Sequence, residues 1–142
     1  MRAVAVLVSS LALASAAVFG LHTRASAEEP DHTFEVRTAP AKGNDTGSLT
    51  FVVTPKGRWH WNKEYPAKLT LSAEGVTFPK TVLKQQDGDF SVDKEVATAK
   101  LTFTGASAGS KDVSVVGKFG LCDDKVCIIK KVDLKAKVEV SR

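Results

Sequence analysis

The chain has 142 residues, of which 43% are hydrophobic and 25% charged, and its formal net charge at pH 7 is +4. This balance is typical of one globular domain that is large enough to bury a real core. The lysines are scattered among acidic residues rather than gathered in a basic run, so we expect no nucleic-acid partner.

The segment 1–27 has the order of a secretory signal peptide. Arg2 supplies a positive charge, an apolar or small stretch runs from Ala3 to Leu21, and Ala-Ser-Ala at 25–27 is a small-x-small cleavage pattern. We predict cleavage after Ala27, one domain over residues 28–142, and a periplasmic or secreted protein. An uncleaved N-terminal anchor is the alternative. No later apolar run is long enough to span a bilayer, so we expect no stable membrane insertion after cleavage.

From residue 34 onward the apolar residues recur with a period of two, which indicates strands with one buried face. In chain order the alternating runs contain Phe34 and Val36, Leu49 to Val53, Leu69 and Leu71, Leu101 and Phe103, Val113 to Leu121, and Val132 to Val140. Turn signals separate them at 41–47, 55–57, 73–75, 85–89 and 105–109. The pattern predicts an all-β antiparallel sandwich of about seven or more strands. A β-barrel is the alternative.

The two cysteines, Cys122 and Cys127, flank the short segment 123–126 between two strand-like runs. In a hairpin of that kind the two side chains lie opposite one another, and export favours a disulfide. A structural disulfide closing a loop of about six residues would contribute only about 2 kcal/mol. Short bridges of this kind are also more easily reduced than longer ones. A structural bridge, a redox-active couple and a metal site all stay open from the residues alone.

The segment 57–66 is rich in large and polar side chains, and the candidate binding residues within it are Trp59, His60, Trp61, Asn62 and Tyr65. One interpretation is a surface loop that recognises a partner or covers the cysteine pair. The alternative is that the aromatic residues plug one end of the sandwich while Asn62 satisfies the backbone of a turn.

Other chemistry has little support in the sequence. His32 or His60 could join the cysteines as metal ligands, but two cysteines with four residues between them are a weak metal pattern. We therefore predict no metal and no other cofactor. A Ser-His-Asp arrangement, a carboxylate pair and a glycine-rich phosphate loop are all missing from the sequence, so hydrolase or transferase activity is not indicated.

Three segments together resemble the N-terminal periplasmic domain of the thiol–disulfide interchange protein DsbD and its stand-alone exported relatives. The segments are 57–66 (Gly-Arg-Trp-His-Trp-Asn-Lys-Glu-Tyr-Pro), 75–80 (Gly-Val-Thr-Phe-Pro-Lys), and 119–127, which ends on the cysteine pair. The cysteine spacing is one residue tighter than in that family, and Ile128 and Ile129 replace its usual proline and aromatic residues.

The resemblance implies an immunoglobulin-like sandwich in the periplasm. It implies that Cys122 and Cys127 cycle between dithiol and disulfide, with Cys127 forming the mixed disulfide and Cys122 resolving it. Thioredoxin-like periplasmic proteins or a membrane thiol reductase would be the partners. We therefore expect a thiol–disulfide electron relay. The alternative is a non-catalytic exported binding module with a structural disulfide.

Overall fold

The computed structural model describes residues 30–42 and 45–142, so the predicted signal peptide at 1–27 lies outside the described residues. The strands are β1 (His32–Ala39), β2 (Ala41–Lys42), β3 (Gly47–Pro55), β4 (His60–Trp61), β5 (Lys68–Ala73), β6 (Val76–Thr77), β7 (Val82–Lys84), β8 (Phe90–Asp93), β9 (Val96–Gly105), β10 (Gly109–Cys122) and β11 (Cys127–Ser141). A short 3-10 helix, Gln85–Asp87, separates β7 from β8. Within these residues no helix has the length and apolar character needed to cross a membrane.

The strands form two sheets. The first has the order β1-β3-β9-β6, with β8 also on β9, and the second has the order β2-β11-β10-β5-β7, with β4 also on β10. Every described strand pair is antiparallel except β2 with β11. Consecutive strands are thus divided between the two sheets. This division and strand order are those of immunoglobulin-like sandwiches. The predicted all-β antiparallel immunoglobulin-like sandwich is confirmed, and the barrel alternative is wrong because the strands form two open sheets.

Alternation along β10 explains how the core forms. Val113, Val115, Phe119 and Leu121 share one parity, and each is at most 1% exposed, as the sequence pattern predicts. They face the buried side chains of the first sheet. The core consists of a large central cluster and, beyond it, a smaller end cluster, which we define as Val53, Trp61, Ala67, Ala97, Phe119 and Leu121.

Phe119 lies at the centre of the end cluster. Its ring stacks on Trp61 with the centroids 5.5 Å apart and on Phe34 at 6.4 Å, and His32 meets it edge-on at 5.1 Å. Aromatic pairs at these separations stabilise a core beyond their buried area. Since Phe119 is three residues before Cys122, this packing fixes the end of β10 that carries the first cysteine.

We predict that Phe119→Ala lowers the free energy of unfolding by about 3–5 kcal/mol, because it leaves a cavity beneath the cysteine hairpin. Urea unfolding followed by tryptophan emission measures the loss. Phe78→Ala, at a half-buried phenylalanine outside the end cluster, is the matched control and should lose less. Equal losses in the two variants would contradict the central place given to Phe119.

Candidate functional site

The cysteine pair lies at the tip of the β10–β11 hairpin. The register of the two strands places Cys122 directly opposite Cys127, and the sulfur atoms form a disulfide with the Cα atoms 4.0 Å apart. Because Leu121 is buried between the sheets, its neighbour Cys122 and the paired Cys127 lie on the outer face of the second sheet. Cys127 is exposed and Cys122 half-buried. The predicted hairpin and disulfide are confirmed.

The aromatic segment runs alongside the first cysteine. Its residues His60 and Trp61 form the short strand β4, which pairs with β10 so that His60 lies opposite Cys122 and Trp61 opposite Leu121. His60 is exposed on the outer face, whereas Trp61 is buried in the end cluster. The sequence pattern predicts a connection for this segment and does not decide whether it approaches the cysteines. The structure brings the two together through backbone pairing.

Trp61 and Asn62 are held by hydrogen bonds within the domain. Trp61 donates its Nε1–H to Oε1 of Gln85 at 2.9 Å. Asn62 Oδ1 accepts the backbone N–H groups of Glu64 at 2.9 Å and Tyr65 at 3.1 Å. The end-plug interpretation is therefore correct for Trp61, and Asn62 satisfies the turn as predicted.

Gly120 explains how the segment packs onto β10. The N–H of Asn62 donates to the Gly120 carbonyl at 3.0 Å. A Cβ atom added at Gly120 would lie 2.9 Å from Cβ of Tyr65 and 3.2 Å from Cβ of Asn62. Tyr65 thus covers the outer face at the position where β10 has no side chain. Gly120 is not among the site residues predicted from the sequence, although a glycine inside a strand is a signal of close approach.

We predict that Gly120→Ala destabilises the fold by about 1–3 kcal/mol, because the new methyl group must displace the 57–66 segment or bend β10. Thermal unfolding measures the loss. Lys118→Ala, at the preceding outer-facing and exposed position of β10, is the control and should leave the midpoint within a degree or two of the wild-type value. A Gly120→Ala protein as stable as the wild type would contradict the close approach of Tyr65.

The turn between the cysteines is organised by Asp123. Its Oδ1 accepts the N–H groups of Lys125 at 2.8 Å and Val126 at 2.7 Å, and its own N–H donates to the Val126 carbonyl at 2.9 Å. Its Oδ2 forms an ion pair with Nε of Arg58 at 3.0 Å, and the Asp123 side chain is only 6% exposed. The backbone hydrogen bonds from Val126 and Lys125, and then the Arg58 charge, hold the pKa of Asp123 below its usual value.

Arg58 connects the aromatic segment to this turn. Besides its contact with Asp123, its guanidinium lies over the ring of Trp59 with 5.2 Å to the ring centroid. Trp59 is half-buried and packs against the end cluster. No local pattern in the sequence could have identified this role of Arg58, because its partner Asp123 is distant along the chain.

Two exposed apolar side chains flank the second cysteine. Val126 is 52% exposed and Ile129 is 58% exposed, and these are the exposed large hydrophobic side chains of residues 30–42 and 45–142. Ile129 pairs across from Gly120 and therefore shares the outer face with Cys127. We call Val126, Cys127 and Ile129 the tip surface. The tip surface is not predicted from the sequence, because an apolar residue in a strand is ordinarily buried.

A cationic groove of about 770 Å³ lies beside β11, on the face opposite to Cys127 and Ile129, because its lining residues Ile128 and Lys130 have the other parity along the strand. Its polar lining includes Lys56, Arg58 and Lys130 with one acid, Asp31, and Trp59 and Ile128 contribute apolar wall. Asp31 forms an ion pair with Lys130 and a hydrogen bond with Nδ1 of His32 at 2.5 Å. Since Arg58 and Lys130 are each paired with one carboxylate, Lys56 leaves the groove with excess positive charge.

The two candidate metal-binding histidines have different surroundings. His32 packs against Phe119 and Asp31, whereas His60 is exposed on the outer face beside Cys122. In the part of the chain that the structure describes, no group of three or more His, Cys, Asp or Glu side chains is placed to hold a metal ion.

Comparison with known proteins gives no family. No protein-family model matches the sequence, and no curated protein is significantly similar to it. Among solved structures, the major subunit AggA of aggregative adherence fimbriae type I from Escherichia coli aligns with a TM-score of 0.39 and 10% sequence identity. The alignment covers 79% of this chain and 97% of that one. This likeness is too weak to bear on function.

Proposed function

We propose that the protein is an exported β-sandwich module that docks a partner protein on the tip surface. The observation that carries the proposal is the exposure of Val126 and Ile129 on either side of Cys127. Grouped apolar side chains on a surface are typical of interaction sites. The hairpin register holds Ile129, and backbone hydrogen bonds with Asp123 hold Val126. Binding requires only this surface, and it is the function that the geometry supports best.

The chemistry around the tip surface indicates what kind of partner fits. The apolar side chains favour a partner with an apolar contact of its own. The groove on the other face of β11, with Lys56, Arg58 and Lys130, favours acidic residues in a partner that also reaches around this strand. The resemblance to the DsbD N-terminal domain implies an exported thioredoxin-like protein as this partner, and the two surfaces add that it would carry an apolar contact and acidic residues.

We predict that a photo-crosslinking amino acid at Ile129 captures one specific partner in the exporting cell, whereas the same amino acid at Ala108 does not. Ala108 is exposed in the β9–β10 connection, at the opposite end of β10, and serves as the control. Adding Val126→Asp should abolish the Ile129 adduct, because a charge at the contact must be desolvated on docking. Identical adducts from positions 108 and 129 would contradict the docking surface.

A second candidate function is thiol–disulfide exchange through the same surface. It is favoured by the outward position of the disulfide and by a hairpin that other contacts hold: the paired register of β10 and β11, and the Asp123 turn. Reduction of the bond would therefore leave the hairpin in place. The resemblance to the DsbD N-terminal domain supports the same candidate, and membership of that family stays part of this proposal.

The exchange would proceed in two balanced steps. A partner thiolate attacks Sγ of Cys127, a partner–Cys127 disulfide forms, and the Cys122–Cys127 bond breaks with Cys122 leaving as a thiolate. A second partner thiolate then attacks the partner sulfur of the mixed disulfide and releases Cys127. The partner ends as a disulfide, and this protein gains two electrons and, on protonation, two protons. Cys127 is the exposed member of the pair, which favours attack there.

We predict that the couple has a potential within reach of thioredoxin-like proteins, well above the roughly −300 mV below which structural disulfides lie. Equilibration with glutathione and dithiothreitol, followed by thiol trapping, measures it. In parallel, Cys122→Ser should form a mixed disulfide with a purified thioredoxin-like protein faster than Cys127→Ser does. A potential below that limit, together with no mixed disulfide, would identify the bond as permanent. The exchange candidate would then fail, and the binding function would remain.

A further inference from the structure

We infer that Asp123 is a positioning residue that holds Cys122 and Cys127 together in the dithiol state and so sets the equilibrium of the couple. The inference deepens the exchange candidate of the proposed function, and its role in the cell rests on that candidate. Asp123 takes no direct part in the exchange of bonds. It acts through the geometry of the four-residue turn between the cysteines.

The turn is closed by contacts that do not involve sulfur. Oδ1 of Asp123 accepts two backbone N–H groups, from Lys125 and Val126, while the Asp123 backbone N–H bonds to the Val126 carbonyl. These bonds link the residue after the first cysteine to the residue before the second. Since each end of the linkage adjoins a cysteine, the two thiols remain neighbours as long as the turn is intact.

The other carboxylate oxygen anchors the turn to the body of the domain. Oδ2 pairs with Nε of Arg58, whose guanidinium lies over Trp59, and Trp59 in turn packs on the end cluster. The Asp123 side chain is 6% exposed while that of Arg58 is 73% exposed, so the carboxylate is the enclosed member of the pair. Both oxygens of this carboxylate are therefore occupied, and hydrogen bonds to a charged acceptor are stronger than those between neutral groups.

The direction of the effect follows from the chemistry of the bond. When dithiothreitol reduces the protein, the two thiols of dithiothreitol become a cyclic disulfide. Cys122 and Cys127 each gain an electron and a proton. The reverse reaction is favoured by the fraction of reduced molecules in which the two thiols are adjacent, which is an effective concentration. An intact Asp123 turn raises that fraction. It therefore stabilises the disulfide and makes the couple more reducing.

The test is the equilibrium constant of the purified protein with dithiothreitol, measured by thiol trapping for the wild type and four variants. Asp123→Ala should shift the equilibrium toward the dithiol by about tenfold, which corresponds to about 30 mV. Asp123→Asn keeps one carbonyl oxygen for the turn and should shift it less. Arg58→Gln removes the anchor but leaves the turn and should also give a smaller shift. Asp124→Ala is the matched control, since Asp124 is the exposed neighbour within the same turn.

A graded series with Asp124→Ala within about twofold of the wild type would support the inference. An unchanged constant in both Asp123 variants, or an equal shift in Asp124→Ala, would overturn it. If Asp123→Ala fails to fold, Asp123→Asn and Arg58→Gln decide the question in the same way. The result is separate from the exchange proposal itself, because that proposal fails on the absolute potential and on trapping at Cys127, not on the difference between variants.

Discussion

The register between β10 and β11 is the constraint on which the rest of the site depends. It runs from Gly109 opposite Val140 to Cys122 opposite Cys127 without an interruption in the alternation of faces. Because side chains alternate, the same register that buries Phe119 and Leu121 places both cysteines on the outer face. A slip of one residue would expose the core residues of β10 and bury the cysteines. The energy of the core thus fixes the position of the sulfur atoms.

That dependence also explains why the disulfide is a minor contributor to the fold. Closing a loop of about six residues removes only about 2 kcal/mol of chain entropy from the unfolded state. A single buried phenylalanine or leucine in β10 contributes a similar or larger amount. We therefore expect the hairpin to keep its register when the pair is reduced, as thiol–disulfide exchange would require. The redox properties of the cysteine pair therefore depend on its local contacts more than on the overall fold.

Much of this arrangement could be predicted from the sequence because it follows from local periodicity. The buried parity of β10, the hairpin with its opposed cysteines and the turn at Asn62 all follow from residues that are near one another in the chain. The short strands were missed, since a two-residue strand such as β4 has no period to detect. The contact of Gly120 with Tyr65 and the pairing of Arg58 with Asp123 were missed because both join distant segments. Long-range register decides such contacts, and composition does not reveal it.

The contacts of Asp123 give it a different role from the one that its position next to a cysteine indicates. In the sequence it is an acid next to a cysteine, which by charge alone would disfavour a thiolate at Cys122. In the structure its carboxylate accepts two backbone N–H groups and pairs with Arg58, so the charge serves to close and anchor the turn. The same ion pair connects the turn to Trp59 and thus to the end cluster. The ion pair between Arg58 and Asp123 thus joins the aromatic segment and the cysteine hairpin into one packed unit. A partner that docks on the tip surface therefore meets a rigid surface, and a rigid surface loses little conformational entropy on binding.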